Sequence, residues 1–225
     1  MADGARAAAE QLASGKDRLP PGRHGLPRTF VAENQRERLL NGVVEAVAEH
    51  GYNATTIGKI TEAAKISRRT FYEYFEGKED CFLAAYEMID AHMRESMLLA
   101  GAAEEAWPQQ VRASLAALLD VLSRDLAIAR FYLAEPLAAG GEIAARYRDA
   151  MQLLAETIRP RSEPSDMNVE VRDQVLMGGI ATLITRRLNS GGVARLSELL
   201  PDLVELALAP YLGREEARRA ARRKS

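Results

Sequence analysis

The sequence predicts an all-α protein, with an N-terminal three-helix unit containing a helix-turn-helix ahead of a larger helical domain. Three observations carry this. Alanine and leucine are abundant and long β-branched runs are absent, which favours helix over sheet. Apolar residues recur at helical spacing from about residue 29 to 212. Two short periodic pieces flank the tetrapeptide AKIS, and the second opens on Arg68-Arg69 and then places four aromatic residues in the five from Phe71 to Phe75.

A chain of 225 residues suits one large or two small domains and can bury a substantial core. Cys81 is the sole cysteine, so no intrachain disulfide can form and a reducing compartment is expected. No window approaches 18 uncharged apolar residues, so no membrane span is predicted. The N-terminal MADGARAAAEQLASGKD lacks a basic start followed by an uninterrupted apolar run. It does not read as a secretory signal, and a cytoplasmic protein is expected. The net charge of −2 hides a segregation. Residues 1–78 carry 12 Lys and Arg against 10 Asp and Glu, residues 79–212 carry 12 against 20, and residues 213–225 carry 6 against 2. An acidic middle repels polyanions, so any nucleic-acid contact belongs at the N-terminus, with the tail as a possible helper.

Residues 1–28 read as a flexible leader, because RLPPGRHGLPR is too rich in proline and glycine for regular helix. A helix from about Thr29 to His50 follows, with Leu40, Val43, Val44 and Val47 on one face and Gly51 as its left-handed stop. Thr56 caps a helix from Ile57 to about Ala64, and Ser67 caps another from Arg68 to Phe75. A long helix is expected from Lys78 to about Leu99. Further helices are expected at Trp107–Ser123, Asp125–Ala138, Glu142–Ile158, Val169–Leu188 and Leu196–Leu212. RPRSEPSDMN reads as a loop, and residues 214–225 as a basic tail that is either a solvated, fraying helix or a source of non-specific phosphate attraction. The domain boundaries expected are 29–80 for the helix-turn-helix unit and 81–213 for the rest.

The second helix of such a module enters the DNA major groove by its N-terminus. Arg68 and Arg69 stand where base edges and phosphates are reached, and arginine can bond guanine O6 and N7 in a bidentate manner. Thr70 can hydrogen-bond or offer its methyl group to thymine. Phe71 and Phe75, at i and i+4, anchor the helix to the core. Tyr72 and Tyr74 can reach phosphates through their hydroxyls while their rings pack. Lys78 opens the next helix, where a phosphate would meet both a charge and free N–H groups. Thr56 and Lys59 serve the same positioning role from the preceding helix, and Ser67 completes the set. Each has a plainer reading: Thr56 only a cap, Arg69 only an ion pair with Glu73, Tyr74 only packing.

ATTIGKITEAAKISRRTFYEYFEGKEDCFLAAY resembles the N-terminal domain of TetR-type transcriptional regulators, and the resemblance covers roughly residues 30–90. Thr56, Ser67, Thr70, Tyr72, Tyr74, Phe75 and Lys78 match that pattern, whereas Lys65 and Arg69 stand where glycine is usual or common. The leader LPPGRHGLPRTFVAENQRERLL resembles a subgroup from high-GC bacteria. The resemblance implies a homodimer that reads a palindromic operator in double-stranded DNA and is released by a small-molecule effector, with repression as the family default. It also implies that the C-terminal helical domain takes the ligand, and that residues 169–188 and 196–212 form the dimer interface.

Outside the module the signals are weaker. His24, His50 and His92 have no partners at metal-ligand spacing, and neither a metal nor a cofactor is expected. No phosphate loop, G-x-S-x-G, H-E-x-x-H or G-x-G-x-x-G occurs, which argues against an enzyme. Arg18, Arg23, His24 and Arg28 could enter a flanking minor groove, or belong to a disordered leader. Trp107, Phe131, Tyr132, Tyr147, Met151 and Met177 read as ordinary core or as cavity lining, and Arg130 and Glu135 as pocket groups or surface. The Gly178-Gly179 pair suggests a close helix–helix approach. The alternative function is a helical dimeric interaction or ligand-binding module without DNA binding.

Overall fold

The computed structural model describes residues 28–160, 169–191 and 193–222, so the leader, most of the RPRSEPSDMN segment and the last three residues lie outside the described residues. Helix α1 (Arg28–His50) buries the expected stripe, with Leu39 and Ala46 added to it. Gly51 ends the helix at φ +76°, and its N–H returns to Val47 O at 2.8 Å. The buried Thr55 hydroxyl lies 2.8 Å from Gly51 O and 3.1 Å from Ala46 O, and so closes the carbonyl end of α1.

Helix α2 (Ile57–Ala64) starts under the Thr56 cap, whose Oγ1 accepts the Lys59 N–H at 3.3 Å. Helix α3 (Arg68–Tyr74) starts under Ser67, whose Oγ accepts the Thr70 N–H at 3.1 Å. The turn between them closes as a Schellman motif. Lys65 N bonds Glu62 O at 3.1 Å and Ile66 N bonds Thr61 O at 3.0 Å, with Lys65 itself left-handed at φ 54°. The Arg38 guanidinium reaches across from α1 and donates to Ala64 O at 2.6 Å and Lys65 O at 2.8 Å, satisfying carbonyls that the turn leaves open.

A left-handed L-residue costs about 1–2 kcal/mol, while glycine gives back about 0.5–1 kcal/mol in chain entropy. Lys65→Gly is therefore expected to raise stability by about 0.5–1 kcal/mol, read as a higher denaturant midpoint at unchanged slope. A lower midpoint would mean that the lysine side chain itself stabilises the turn.

Helix α4 (Lys78–Ala102) is the spine. At 1.5 Å per residue it runs for about 35–40 Å, from the helix-turn-helix to the far end of the C-terminal helices. It buries Cys81, Phe82, Ala85, Tyr86, Ile89, Met93 and Met97. Helix α5 (Trp107–Arg124) returns against it, and the Ser114 hydroxyl donates to Met97 O at 2.9 Å.

The structure corrects two helices. The expected Asp125–Ala138 helix is two, α6 (Leu126–Leu133) and α7 (Glu135–Ala139). Pro136 has no N–H to continue the ladder and its ring conflicts with the carbonyl four residues back, so the chain turns at Ala134. Asp125 is a cap rather than a helical residue, its Oδ1 accepting Ala127 N at 2.7 Å. The expected Leu196–Leu212 helix is likewise a 3₁₀ segment (Val193–Leu199) followed by α10 (Leu200–Leu212), with Pro201 in the first turn of α10.

Helices α8 (Gly141–Ile158) and α9 (Val169–Gly191) complete the C-terminal layer. The tail is α11 (Arg214–Arg222), and it is not a fraying helix. Ala217 and Ala221 are buried, and Arg112 donates to Ala221 O at 2.8 Å. Phe131, Tyr132, Tyr147, Met151 and Met177 are all buried, whereas Trp107 is half-buried with its indole N–H on Ile158 O at 3.0 Å. In the glycine pair, a Cβ on Gly179 would lie 3.4 Å from Leu206, while Gly178 faces open space.

Candidate DNA-binding surface

Helix α3 has one face of each kind. Phe71 and Phe75 are buried, with ring centroids 5.8 Å apart, and they seat the helix as expected. Ser67, Arg68, Arg69 and Tyr72 are exposed on the other side, and Thr70 is half-exposed. The Tyr72 ring meets that of Phe71 in a T-shaped arrangement at 5.5 Å and is otherwise largely exposed. Its hydroxyl is in solvent, and no shape change is needed before it can bond a partner.

The two arginines differ. Arg69 stands in solvent, 92 % exposed, with Glu73 at 3.7 Å; an exposed i,i+4 pair of this kind contributes only a few tenths of a kcal/mol and yields readily to a stronger anion. Arg68 folds back over the first turn of α2, where its Nη2 would lie 2.7 Å from a Cβ on residue 58. Gly58 is thus what lets Arg68 lie across α2, bringing its charge beside the capped start of that helix. Thr56 and half-buried Lys59 stand at the same edge, with Lys59 Nζ on Ala54 O at 3.0 Å.

Two of the expected contact residues are engaged within the protein. The Tyr74 hydroxyl donates to Gln35 Oε1 at 3.0 Å, tying α3 to α1, and burial followed by the Glu73 charge raises its pKa above the ordinary tyrosine value. Lys78 Nζ donates to Tyr52 O at 2.8 Å and lies 4.0 Å above the Tyr52 ring. Burial lowers the Lys78 pKa, with Glu79 opposing that shift. Both residues have a structural task that the sequence alone did not disclose. Arg36, 5.8 Å over the Phe75 ring, and Arg38 at the turn are basic residues of α1 that sequence reasoning passed over.

Cys81 is buried, and burial with the Asp80 charge pushes its thiol up to about 12, Arg36 opposing, which leaves it a small core residue and not a redox sensor. Helix α11 packs on α10 and α5 next to Arg112, at the end of α5 that faces the far end of α4. The basic tail therefore sits remote from α3 within its own chain. The leader arginines lie outside the described residues. Among the described residues, no group of His, Cys, Asp and Glu could hold a metal ion, and no helix is long and apolar enough to cross a membrane.

A three-helix N-terminal unit that presents an exposed, basic, N-capped helix, carried on a larger all-helical domain, is the architecture of a helix-turn-helix protein. Residues 39–85 match the family described as bacterial regulatory proteins, tetR family. The HTH-type transcriptional repressor AcnR of Corynebacterium efficiens is 28% identical over 183 residues, covering 78% of this chain and 93% of the relative. The HTH-type transcriptional regulator TcmR of Streptomyces glaucescens is 32% identical over 89 residues, 40% of this chain and 38% of the relative. The fold matches the fatty acid degradation regulator FadR from Bacillus halodurans with a TM-score of 0.67 at 18% identity, over 76% of this chain and 97% of that one. It also matches FadR from Bacillus subtilis, solved in complex with stearoyl-CoA, with a TM-score of 0.66 at 17% identity, over 78% and 97%. Residues 39–85 thus match the N-terminal unit of the tetR family, and the chain as a whole is similar to repressors of that kind.

Proposed function

We propose that this protein is a homodimeric repressor that binds a palindromic operator through residues 29–80 and is released when a small molecule enters the helical domain, residues 81–213. The observation that carries the reading is α3: capped at Ser67, seated on Phe71 and Phe75, with Arg68, Arg69 and Tyr72 exposed to solvent. The proposed DNA contacts are Thr56, Lys59, Ser67, Arg68, Arg69, Thr70, Tyr72, Tyr74 and Lys78. Arg68 and Arg69 reach base edges or phosphates, and Thr70 a base edge. Tyr74 and Lys78 contribute mainly by fixing α3 and the start of α4.

A stripe on α9 supports the dimer. Val175 is 70% exposed, Val171 is exposed four residues earlier, and Gly178 and Thr182 continue the same face. A second copy would cover it, with residues 169–188 and 196–212 as the interface. The interior of the helical domain is aromatic and methionine-rich, which supports an effector with an apolar body. The stearoyl-CoA held by the Bacillus subtilis relative of the same fold is in keeping with this.

The test is selection of bound duplexes from a random DNA pool. A palindrome with half-sites about 34–36 Å apart, or somewhat more, is expected from a symmetric dimer. Arg68→Ala combined with Tyr72→Phe should then weaken binding to that duplex by about 10–100-fold, with the fold and dimer intact. Unchanged affinity would remove these residues from the contact set. No enrichment from a folded dimer, with or without a panel of acyl-CoA thioesters, would favour the module without DNA binding.

A further inference from the structure

Glu135, expected from sequence as a pocket group or a surface residue, is half-buried and bridges to the helix-turn-helix unit. It is the first residue of α7, at the kink forced by Pro136, and its carboxylate is turned toward the helix-turn-helix unit. Oε2 accepts the backbone N–H of Tyr52 at 2.8 Å, in the loop between α1 and α2. The same oxygen would lie 3.6 Å from a Cβ on Gly51, which already needs its positive φ. Asn53 Nδ2 adds a bond to Ala138 O at 3.3 Å at the other end of α7. Tyr52 is then held from three directions. Glu135 takes its N–H, the Lys78 ammonium takes its carbonyl at 2.8 Å, and Phe82 of α4 meets its ring edge-on at 5.2 Å. Both main-chain bonds are charge-assisted, a strong class of hydrogen bond.

The loop so gripped leads directly into the Thr56 cap of α2. α2 in turn carries the turn at Lys65 and the start of α3. We infer that Glu135 is a positioning residue for DNA reading. Its carboxylate is the latch by which the C-terminal domain sets the angle of the α1–α2 loop, and thereby of α2 and α3. Helix α6, which carries Phe131 against Phe82 at 4.2 Å, runs straight into this latch, so a rearrangement of α6 reaches the Tyr52 main chain through Glu135 and its ring through Phe82. The inference rests on the proposed DNA reading for its consequence, but the latch itself can be measured without DNA.

Glu135→Ala and Glu135→Gln are compared with the parent protein by amide hydrogen exchange and by affinity for the selected duplex. Glutamine keeps an acceptor oxygen at the same reach and is the rescue variant. Loss of a charge-assisted bond predicts exchange about tenfold or more faster at Tyr52 and through α2 and α3 in Glu135→Ala. Amides of α5 and α8 should be unchanged, and glutamine should restore most of the protection. Affinity for the duplex should fall by about tenfold in the alanine variant only. Equal acceleration across both domains, or none in 52–75, would overturn the inference, because a merely structural role moves the whole molecule and no role moves nothing. If Glu135→Ala does not fold, Asn53→Ala opens the same junction from the other side, and the same regional pattern decides. If the parent protein binds no duplex, the exchange pattern still decides the latch, and only the DNA reading has failed.

Discussion

Replacing Phe82 by alanine is expected to cost about 3–5 kcal/mol, the range for removing a fully buried phenyl ring from a packed core. Phe82 has no exposed surface and touches three other rings. Tyr52 meets it edge-on at 5.2 Å, Phe131 lies against it at 4.2 Å and Tyr86 stacks at 6.2 Å. Those neighbours come from the α1–α2 loop, from α6 and from α4 itself, so the cavity opens where the reading head meets the helical domain. Collapse into it would require α6 to shift, which the Tyr132 hydroxyl resists by donating to the buried Asp90 at 2.7 Å. Denaturant unfolding measures the loss. An unchanged slope with a lower midpoint is expected while the two domains still melt together, and two separate transitions would show that Phe82 is what couples them. A loss below about 1 kcal/mol would mean that the surrounding rings close over the space and that the junction is softer than its contacts indicate.

The parts of this molecule legible in its sequence are those fixed by local spacing. Thr56 and Ser67 cap the helices they were expected to cap, because an N-cap needs only a side-chain oxygen near an N–H two or three residues on. Phe71 and Phe75 are buried because i and i+4 share a face. That Lys65 stands in a turn where glycine is usual was legible from the sequence, while its left-handed φ of 54° was not. What the sequence did not disclose depended on partners far away along the chain. Lys78, expected beside a phosphate, also has its ammonium on the carbonyl of Tyr52, 26 residues earlier. Tyr74 finds Gln35 across 39 residues, and Glu135 finds a backbone N–H across 83. Backbone groups are the same at every residue, so no residue type marks Tyr52 as the acceptor and donor of two charged bonds. The break at Pro136 was different: the proline was visible, and its missing N–H was enough to divide the expected helix. Arg38 had a signal too. A turn with a lysine where glycine is usual leaves carbonyls in need of a donor, and a basic residue one helix earlier can supply one.

Gly42→Leu is expected to unseat α2 and abolish DNA binding while leaving the C-terminal helices formed. Mid-helix glycine is normally a liability of about 1 kcal/mol, so on propensity alone a larger side chain here would stabilise α1. Packing reverses the sign. A Cβ at residue 42 would lie 2.8 Å from Ile60 O, 2.8 Å from Ala64 Cβ and 2.9 Å from Ala64 N. Two of these are main-chain atoms of α2, which cannot rotate out of the way as a side chain can. The helix cannot slide freely either, since Thr56 caps one end and Arg38 holds the carbonyls at the other. Even Gly42→Ala must therefore push α2 off α1, at about 1–3 kcal/mol, and leucine belongs at or above the top of that range. The functional loss is larger than the stability loss because of how α3 is held. Seven residues long and anchored mainly by Phe71 and Phe75, it has too little buried surface to keep its place once the turn beneath it moves. Circular dichroism and duplex binding separate the outcomes. Retained helix content with lost binding is expected, whereas full affinity at full stability would show that α3 is placed by Tyr74, Gln35 and the α4 junction, and that the α1–α2 crossing is free to open.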